Sequence, residues 1–259
     1  MSLNDKYLYF ASDLHLGAPN TAKSAAREKA FIAWLDHIRP SAKAIFLLGD
    51  VFDFWYEYKT VVPKGYTRLL GKLAEFTDAG IELHYFKGNH DMWVFDYFEK
   101  ELGMRIHSNE YTFEHAGKQF YLHHGDGLGP GDYKYKFLKQ FFRSALCQWL
   151  FARLHPNFGI QLASLLSRRS RANGGEKDAI YNGPNDEWLY AYVQQMEKKQ
   201  HHDYYLFGHR HLPLFLPYQQ ALYVNTGDWI KYQTFARFDN QKLELLQWSD
   251  HQVLPYNAD

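Results

Sequence analysis

Five short clusters along this 259-residue chain carry side chains able to hold a cation or move a proton. They are Asp13 and His15 in SDLHLG, Asp50 and Asp53 in LLGDVFD, Asn89, His90 and Asp91 in KGNHD, His123 and His124 in LHHGDG, and His209 and His211 in FGHRH. Alone, each has a bland reading. Gly-Asn is ordinary turn chemistry, a His-Asp pair beside it can cap a helix, and an isolated His-x-His usually sits on a surface. Together they form a pool of carboxylate, imidazole and amide oxygen without thiolate. That pool suits borderline first-row ions such as Mn²⁺, Fe²⁺ or Zn²⁺ and is poor for Mg²⁺ or Ca²⁺. It is also too large for one ion, whereas two ions about 3.5–4 Å apart and bridged by one carboxylate would use it.

The elements that must position these groups read as strands alternating with helices. KYLYFAS (6–12), KAIFLLG (43–49), IELHYFKG (81–88) and KQFYLHHG (118–125) are short apolar runs ending at Gly or polar residues, as buried strands do. DYYLFGH (203–209), ALYVNTG (221–227), YQTFARF (232–238) and KLELLQW (242–248) predict further strands. Helical patterns cover 21–38 and 66–79, the second closed by Gly80. The class is α/β, and every cluster falls at the carboxyl end of a predicted strand, the edge where ligands bind in such sheets. Strand alternation would put Asp13 and His15 on one side and turn His123 away from His124.

Composition bounds the rest. With 46% hydrophobic and 18% aromatic residues the chain can bury a full core, and disorder is excluded. Lys plus Arg equals Asp plus Glu at 29 each, so no global field gathers nucleic acid. The lone Cys147 excludes an internal disulfide framework and suits a reducing compartment. No signal-peptide pattern opens the sequence and no apolar run approaches 18 residues, so the expectation is a cytoplasmic protein without a membrane span.

One segment stands apart. Residues 131–177 hold nine Lys or Arg against two acids, and they are also strongly apolar. FLKQFFRSALCQWLFARL (137–154) and FGIQLASLLSRRS (158–170) predict two helices, the first ended by Pro156. Either this is a core hairpin with solvated charges or it is a basic, greasy lid over the main domain.

The ordered motifs DxH, GDxxD, GNHD, HGD and GHxH resemble those of calcineurin-like metallophosphoesterases across residues 7–229. The resemblance implies a four-layer αββα sandwich of two mixed sheets, one domain over 1–259 with 131–177 as an inserted helical lid. It implies two divalent ions, Mn²⁺ first among the candidates. Asp13, His15 and His211 would hold one, Asn89, His124 and His209 the other, and Asp50 would bridge them. A hydroxide shared by the ions would attack phosphorus in line while they neutralise the phosphoryl oxygens. In that scheme Gly88 allows the sharp turn, His90 donates a hydrogen bond or proton to the phosphate, and Asp91 fixes the tautomer of His90. Asp53 and Asp126 would orient ligands from behind.

Within that superfamily, HHGDGLGPGDYKYKFL, SRRSRANGGEKDA and LLGDVFDFWY resemble the UDP-2,3-diacylglucosamine hydrolases of lipid A synthesis. This implies a lipid-linked sugar nucleotide as substrate and contacts from Asp132, Tyr135, Ala172, Asn173 and Lys177. It also implies peripheral attachment to the cytoplasmic face of the inner membrane. Two departures mark this chain. His90 stands where that family carries Arg in GNRD, and RANGGEKD has glycines where it shows a serine-containing run. Two other readings stay open: a metallophosphoesterase for a different phosphoester, such as a nucleotide or phosphoprotein, and a scaffold that binds partners without chemistry. The scaffold would be expected to have lost ligand positions, and none is lost.

Overall fold

Tyr7–Ala11 (β1), Ala42–Leu47 (β2) and Glu82–Phe86 (β3) are largely apolar and buried because both of their faces are covered, with Lys43 and Glu82 exposed near their starts. They pair in parallel, with Phe10 opposite Phe46 and Ile45 opposite Leu83. One face, with Tyr9, Ala11, Ile45, Leu47, Leu83 and Tyr85, packs on two helices, Thr21–Ile38 (α1) and Thr67–Asp78 (α2). Those helices contribute Phe31, Trp34, Leu35, Leu69, Leu73 and Phe76 to the same core. The Asn20 side chain starts α1 by accepting the Lys23 N–H at 3.0 Å, an N-cap. The opposite face, with Leu8, Phe10, Ala44, Phe46 and Phe86, packs on a second sheet. In this computed structural model the described residues are 6–130, 133–174 and 180–256, with the backbone alone for residues 134 and 168–174.

The rest of the first sheet comes from Arg105–His107 (β4), which follows the short helix Tyr97–Leu102 (α3), and from three late strands. The late strands are Thr234–Phe238 (β10), Leu243–Ser249 (β11) and Gln252–Pro255 (β12), and the strand order is β12-β11-β10-β1-β2-β3-β4. The second sheet has the order β5-β6-β7-β9-β8, from Tyr111–His115 (β5), Lys118–Leu122 (β6), Tyr204–Phe207 (β7), Pro213–Tyr218 (β8) and Ala221–Thr226 (β9). Both sheets mix parallel and antiparallel pairs. Between them Phe10, Phe46, Phe113 and Phe120 stack in turn with ring centroids 4.8–5.3 Å apart along the chain of contacts, joining the sheets. Trp188–Glu197 (α7) covers the outer face of the second sheet through Leu189 and Val193, against Tyr121, Tyr205, Phe207 and Tyr223. Three cores between four layers make the αββα sandwich that the motif order implies.

Between β6 and α7 the described residues form three helices rather than two: Tyr133–Arg143 (α4), Ala145–Phe151 (α5) and Pro156–Gly174 (α6). The expected single helix breaks at Ser144, whose hydroxyl accepts the Cys147 N–H and caps α5. Pro156 opens α6 instead of merely ending its predecessor, because the first helical position needs no N–H donor. The core-hairpin alternative fails. Phe137, Phe141, Leu146, Trp149, Leu150 and Phe158 are each about half exposed or more, and α5 buries no side chain at all. Among the described residues no helix is long and apolar enough to cross a membrane.

Candidate active site

β1, β2 and β3 run parallel in one sheet, and β6, β7 and β9 run parallel in the other. The loops leaving those six ends meet at one edge of the sandwich, and all five sequence clusters are in them. Strand alternation is not what aims Asp13 and His15. Both lie beyond β1 in left-handed backbone, at φ 55° and 43°, and Asp50, His209 and His211 share that conformation at 53°, 65° and 58°. Each such residue costs roughly 1–2 kcal/mol, least for Asp and His types that tolerate it. Five of them at one edge concentrate strain where a ligand can repay it.

Two glycines permit the crowding. A Cβ on Gly88 would lie 2.1 Å from Asp50 Oδ1, so glycine is required there by close approach and not by the left-handed φ expected of a sharp turn. A Cβ on Gly208 would lie 2.6 Å from Asp13 Oδ2.

The donor atoms converge on two centres. Asp13 Oδ2 accepts the Ser12 hydroxyl and the His209 N–H, which leaves Oδ1 buried without a hydrogen bond. His15 Nε2 and His211 Nε2 are 3.1 Å apart, and Asp13 Oδ1 is 3.6 Å from the first and 3.3 Å from the second. Asp50 Oδ2 lies 3.7 Å from His15 Nε2 and 3.5 Å from His124 Nε2, and Asn89 Oδ1 is 3.2 Å from His124 Nε2. Asp13, His15, Asp50 and His211 thus form one ligand group, Asp50, His124 and His209 another, each with its donor atoms within 4.8 Å of one another. Asp50 belongs to both.

Two of the rings have a partner behind them. The Leu48 carbonyl accepts from His124 Nδ1 at 2.7 Å and Asp228 Oδ2 stands 3.4 Å from His211 Nδ1, whereas His15 Nδ1 is buried without a hydrogen bond, with Asp53 Oδ1 3.7 Å away. Such support turns Nε2 inward. An orphaned carboxylate oxygen facing crowded imidazole nitrogens is the arrangement two divalent cations satisfy, so these residues fit a pair of ions. The third group of potential ligands, His15, Asp53 and His90, is supporting structure: its atoms are the rear Nδ1 nitrogens, and the one on His90 already faces a backbone carbonyl.

His90 lies against this centre, its ring edge-on to that of His15 at 4.7 Å and its N–H donating to Asp50 Oδ1 at 2.9 Å. Asp91 does not fix its tautomer. The Asp91 carboxylate is spent on the N–H groups of Gly88 (2.8 Å), Val51 (2.9 Å), Asp50 and Phe52 (both 3.3 Å) and on the Tyr85 hydroxyl. The tautomer is set by the Asp53 carbonyl, 3.1 Å from His90 Nδ1, since a carbonyl can only accept.

A family model described as calcineurin-like phosphoesterase matches residues 7–213. The chain belongs to the calcineurin-like phosphoesterase family. This phosphoesterase is 39% identical to a protein of Porphyromonas gingivalis named UDP-2,3-diacylglucosamine hydrolase, over 94% of this chain and 98% of that one. A protein of the same name from Edwardsiella ictaluri is 26% identical over 93% and 92%. The solved phosphoesterase Yfce from E. coli aligns with 95% of this chain and 96% of its own, at 16% identity and a TM-score of 0.48. The chain is a metal-dependent phosphoester hydrolase, and the cluster at the sandwich edge is its potential metal site.

The electrostatics of the phosphoesterase suit that centre. Burial opposes ionisation of Asp13 and Asp50, yet His211 and His15 hold the first below the usual carboxylate range, and His124, His90 and His15 hold the second well below it. Burial would depress His124, but Asp50, Asp13 and Asp126 outweigh it and push its imidazole up to about 10. Burial takes His90 and His209 down to about 4. Burial and then the Asp50 charge push Asp91 up to about 6.

The helical segment reaches the phosphoesterase centre at two points. On α4 the Tyr135 hydroxyl donates to Asp126 Oδ2 at 2.9 Å, and Lys139 Nζ is 2.7 Å from the same oxygen. On α6 Ser167 contacts Asp53 and His90. Of the other expected substrate contacts, Ala172 and Asn173 fall in the last turn of α6, and Asp132 and Lys177 lie outside the described residues. His123, also buried, accepts the Gly125 N–H on Nδ1 at 2.8 Å. Nothing in the sequence marks Asp228 or Ser167, whose partners His211 and His90 are distant in the chain, and Ser12 sits beside its partner Asp13 without any motif to single it out. Arg210 could have been noticed as the residue between the two histidines of GHRH. It is buried, donates to Glu187 at 3.0 Å and to the Ile180 carbonyl at 2.8 Å, and ties the chain leading into α7 to the metal-site loop.

Proposed function

We propose that this phosphoesterase cleaves the diphosphate of UDP-2,3-diacylglucosamine, giving UMP and 2,3-diacylglucosamine 1-phosphate. Asp13, His15 and His211 would hold one divalent ion, Asn89, His124 and His209 a second, and Asp50 both, with Mn²⁺ the first candidate and Fe²⁺ or Zn²⁺ next. When bound, such a pair activates a water for in-line attack and neutralises the phosphoryl oxygens. The protein residues do the rest. Asp91 and Gly88 fix the loop that presents Asp50 and Asn89. With Nδ1 of His90 committed to the Asp53 carbonyl, Nε2 is the atom at which a proton is taken up and released beside the phosphate.

The observation that carries the substrate assignment is the inverted character of α4–α6. Phe142 and Phe151 anchor the segment on Trp93 and Tyr56, most of its other leucines and aromatics, Phe141, Leu146, Trp149, Leu150 and Phe158 among them, face outward, and Tyr135, Lys139 and Ser167 face the centre. An outward apolar face flanking a phosphate-cleaving centre suits acyl chains, and Lys and Arg among them suit an anionic headgroup or the surface of the inner membrane, as a lid docked there peripherally. The names of the relatives support the same reading. The test is a panel of diacylated UDP-glucosamine, UDP-glucosamine and a small artificial phosphodiester given to the Mn²⁺-loaded enzyme. UMP release from the acylated substrate should exceed that from the headgroup alone by orders of magnitude. Equal rates on the first two would remove the lipid assignment and leave the hydrolase.

A further inference from the structure

Ser167 is a polar residue turned inward on a helix that otherwise turns its leucines out. Leu165 and Leu166, its immediate neighbours, are 42% and 51% exposed, whereas the Ser167 hydroxyl lies 3.1 Å from Asp53 Oδ1 and 3.0 Å from His90 Nδ1. The Asp53 carboxylate and the His90 ring are too far apart for a direct hydrogen bond, 3.7 Å from Oδ1 to Nδ1. The serine hydroxyl fills that gap. It has one proton to give and lone pairs to accept with, so it donates to the carboxylate and shares the Nδ1–H of His90 with the Asp53 carbonyl.

We propose that Ser167 is a positioning residue of the hydrolytic reaction, a hydroxyl supplied by α6 that bridges Asp53 to His90 and holds the ring so that Nε2 meets the phosphate. The proposal rests on His90 being the proton-moving group. Its consequence is that the proton site is complete only when α6 is seated. The helix sits close at Gly159, two turns earlier, where an added Cβ would lie 2.8 Å from the Tyr58 hydroxyl and 3.1 Å from the Phe151 ring of α5, so a larger residue would have to push those side chains aside. The same helix that presents an apolar face outward therefore finishes the site inward.

The experiment uses the full chain loaded with Zn²⁺, which is diamagnetic, and a small phosphodiester that needs no acyl binding. S167A should lower kcat by about 10- to 100-fold, the range for losing a hydrogen-bond partner behind an active group, with KM and zinc content unchanged. S167T, which keeps the hydroxyl, should restore most of it. In an H90A background, S167A should cost little more. In ¹⁵N-histidine-labelled protein the His90 Nδ1–H resonance should shift and exchange faster in S167A and not in S167T. The proposal is overturned by a full additional loss in the H90A background, by loss of zinc from S167A, or by an unchanged His90 resonance. A wild-type enzyme that cleaves the small diester but ignores the lipid would defeat the substrate assignment and leave this test intact.

Discussion

Asp91 holds Asp50 by its backbone. One buried carboxylate accepts the N–H groups of Asp50, Val51 and Phe52 in the loop after β2 and of Gly88 in the loop after β3, so the residue shared by the two potential ligand groups is held in place through its backbone. Removing that acceptor strands several buried donors, each at about 1–3 kcal/mol. Asp91→Ala should therefore lower stability by on the order of 3 kcal/mol or more and lower metal content in parallel, measured by calorimetry and elemental analysis. Wild-type melting with intact metal would show that the loop does not depend on it.

Gly88→Ala should be as damaging as a direct ligand change although it alters only one methyl group. The added Cβ would have to displace the Asp50 carboxylate, which is 2.1 Å away. Van der Waals radii leave no room at that separation, so either the loop after β3 moves or Asp50 does. The expected result is a fall in activity of roughly 10² or more, from misplacement alone, with impaired binding of at least one ion. A variant with normal kinetics and two ions would refute the packing at this turn.

Metal loading should depend on pH through His124. Its imidazole is raised to about 10 in the metal-free chain, from an ordinary 6.5, because Asp50, Asp13 and Asp126 outweigh the burial that opposes its charge. A raised folded value contributes stability that is complete below about pH 6.5 and lost as pH climbs through 10. In chelator the melting temperature should fall across pH 7 to 10. In saturating Mn²⁺ it should fall less, because the ion replaces the proton on Nε2 and binds more tightly as that proton leaves. Parallel curves with and without metal would mean that His124 is not a ligand.

How much of this was legible in the sequence depends on how local the cause is. The buried strands and α1 are legible because apolar runs and helical patterning are encoded within a few residues. β4, β5, β8 and β12 were not: β4 and β12 are three and four residues long, and β5 and β8 lie toward or at the edge of the second sheet with alternating, half-exposed side chains. The ligand types were visible as motifs, but their aim was not, since left-handed turns at Asp13, His15 and Asp50 replaced the alternation of a strand. The role of Asp91 is equally non-local. Its neighbour in sequence is His90, but its partners are the loops on either side. Ser167 has no local signal at all, being brought to His90 across 77 positions of chain.

The outward face of α4–α6 gives the most discriminating test of the substrate. If Phe141, Trp149 and Leu150, all about half exposed, receive acyl chains, then exchanging them for polar residues removes binding surface from the lipid substrate alone. Each methylene buried in that interaction contributes about 0.8 kcal/mol, so even a few lost contacts amount to 10- to 100-fold in kcat/KM. The small phosphodiester uses only the centre and should be cleaved at the wild-type rate. Exposure makes the experiment clean, because these side chains lie outside the three cores and their replacement leaves the sandwich packed. An equal loss on both substrates would make the face a support for the site through α6, whereas no loss on either would leave the acyl chains without a receiving surface on these helices.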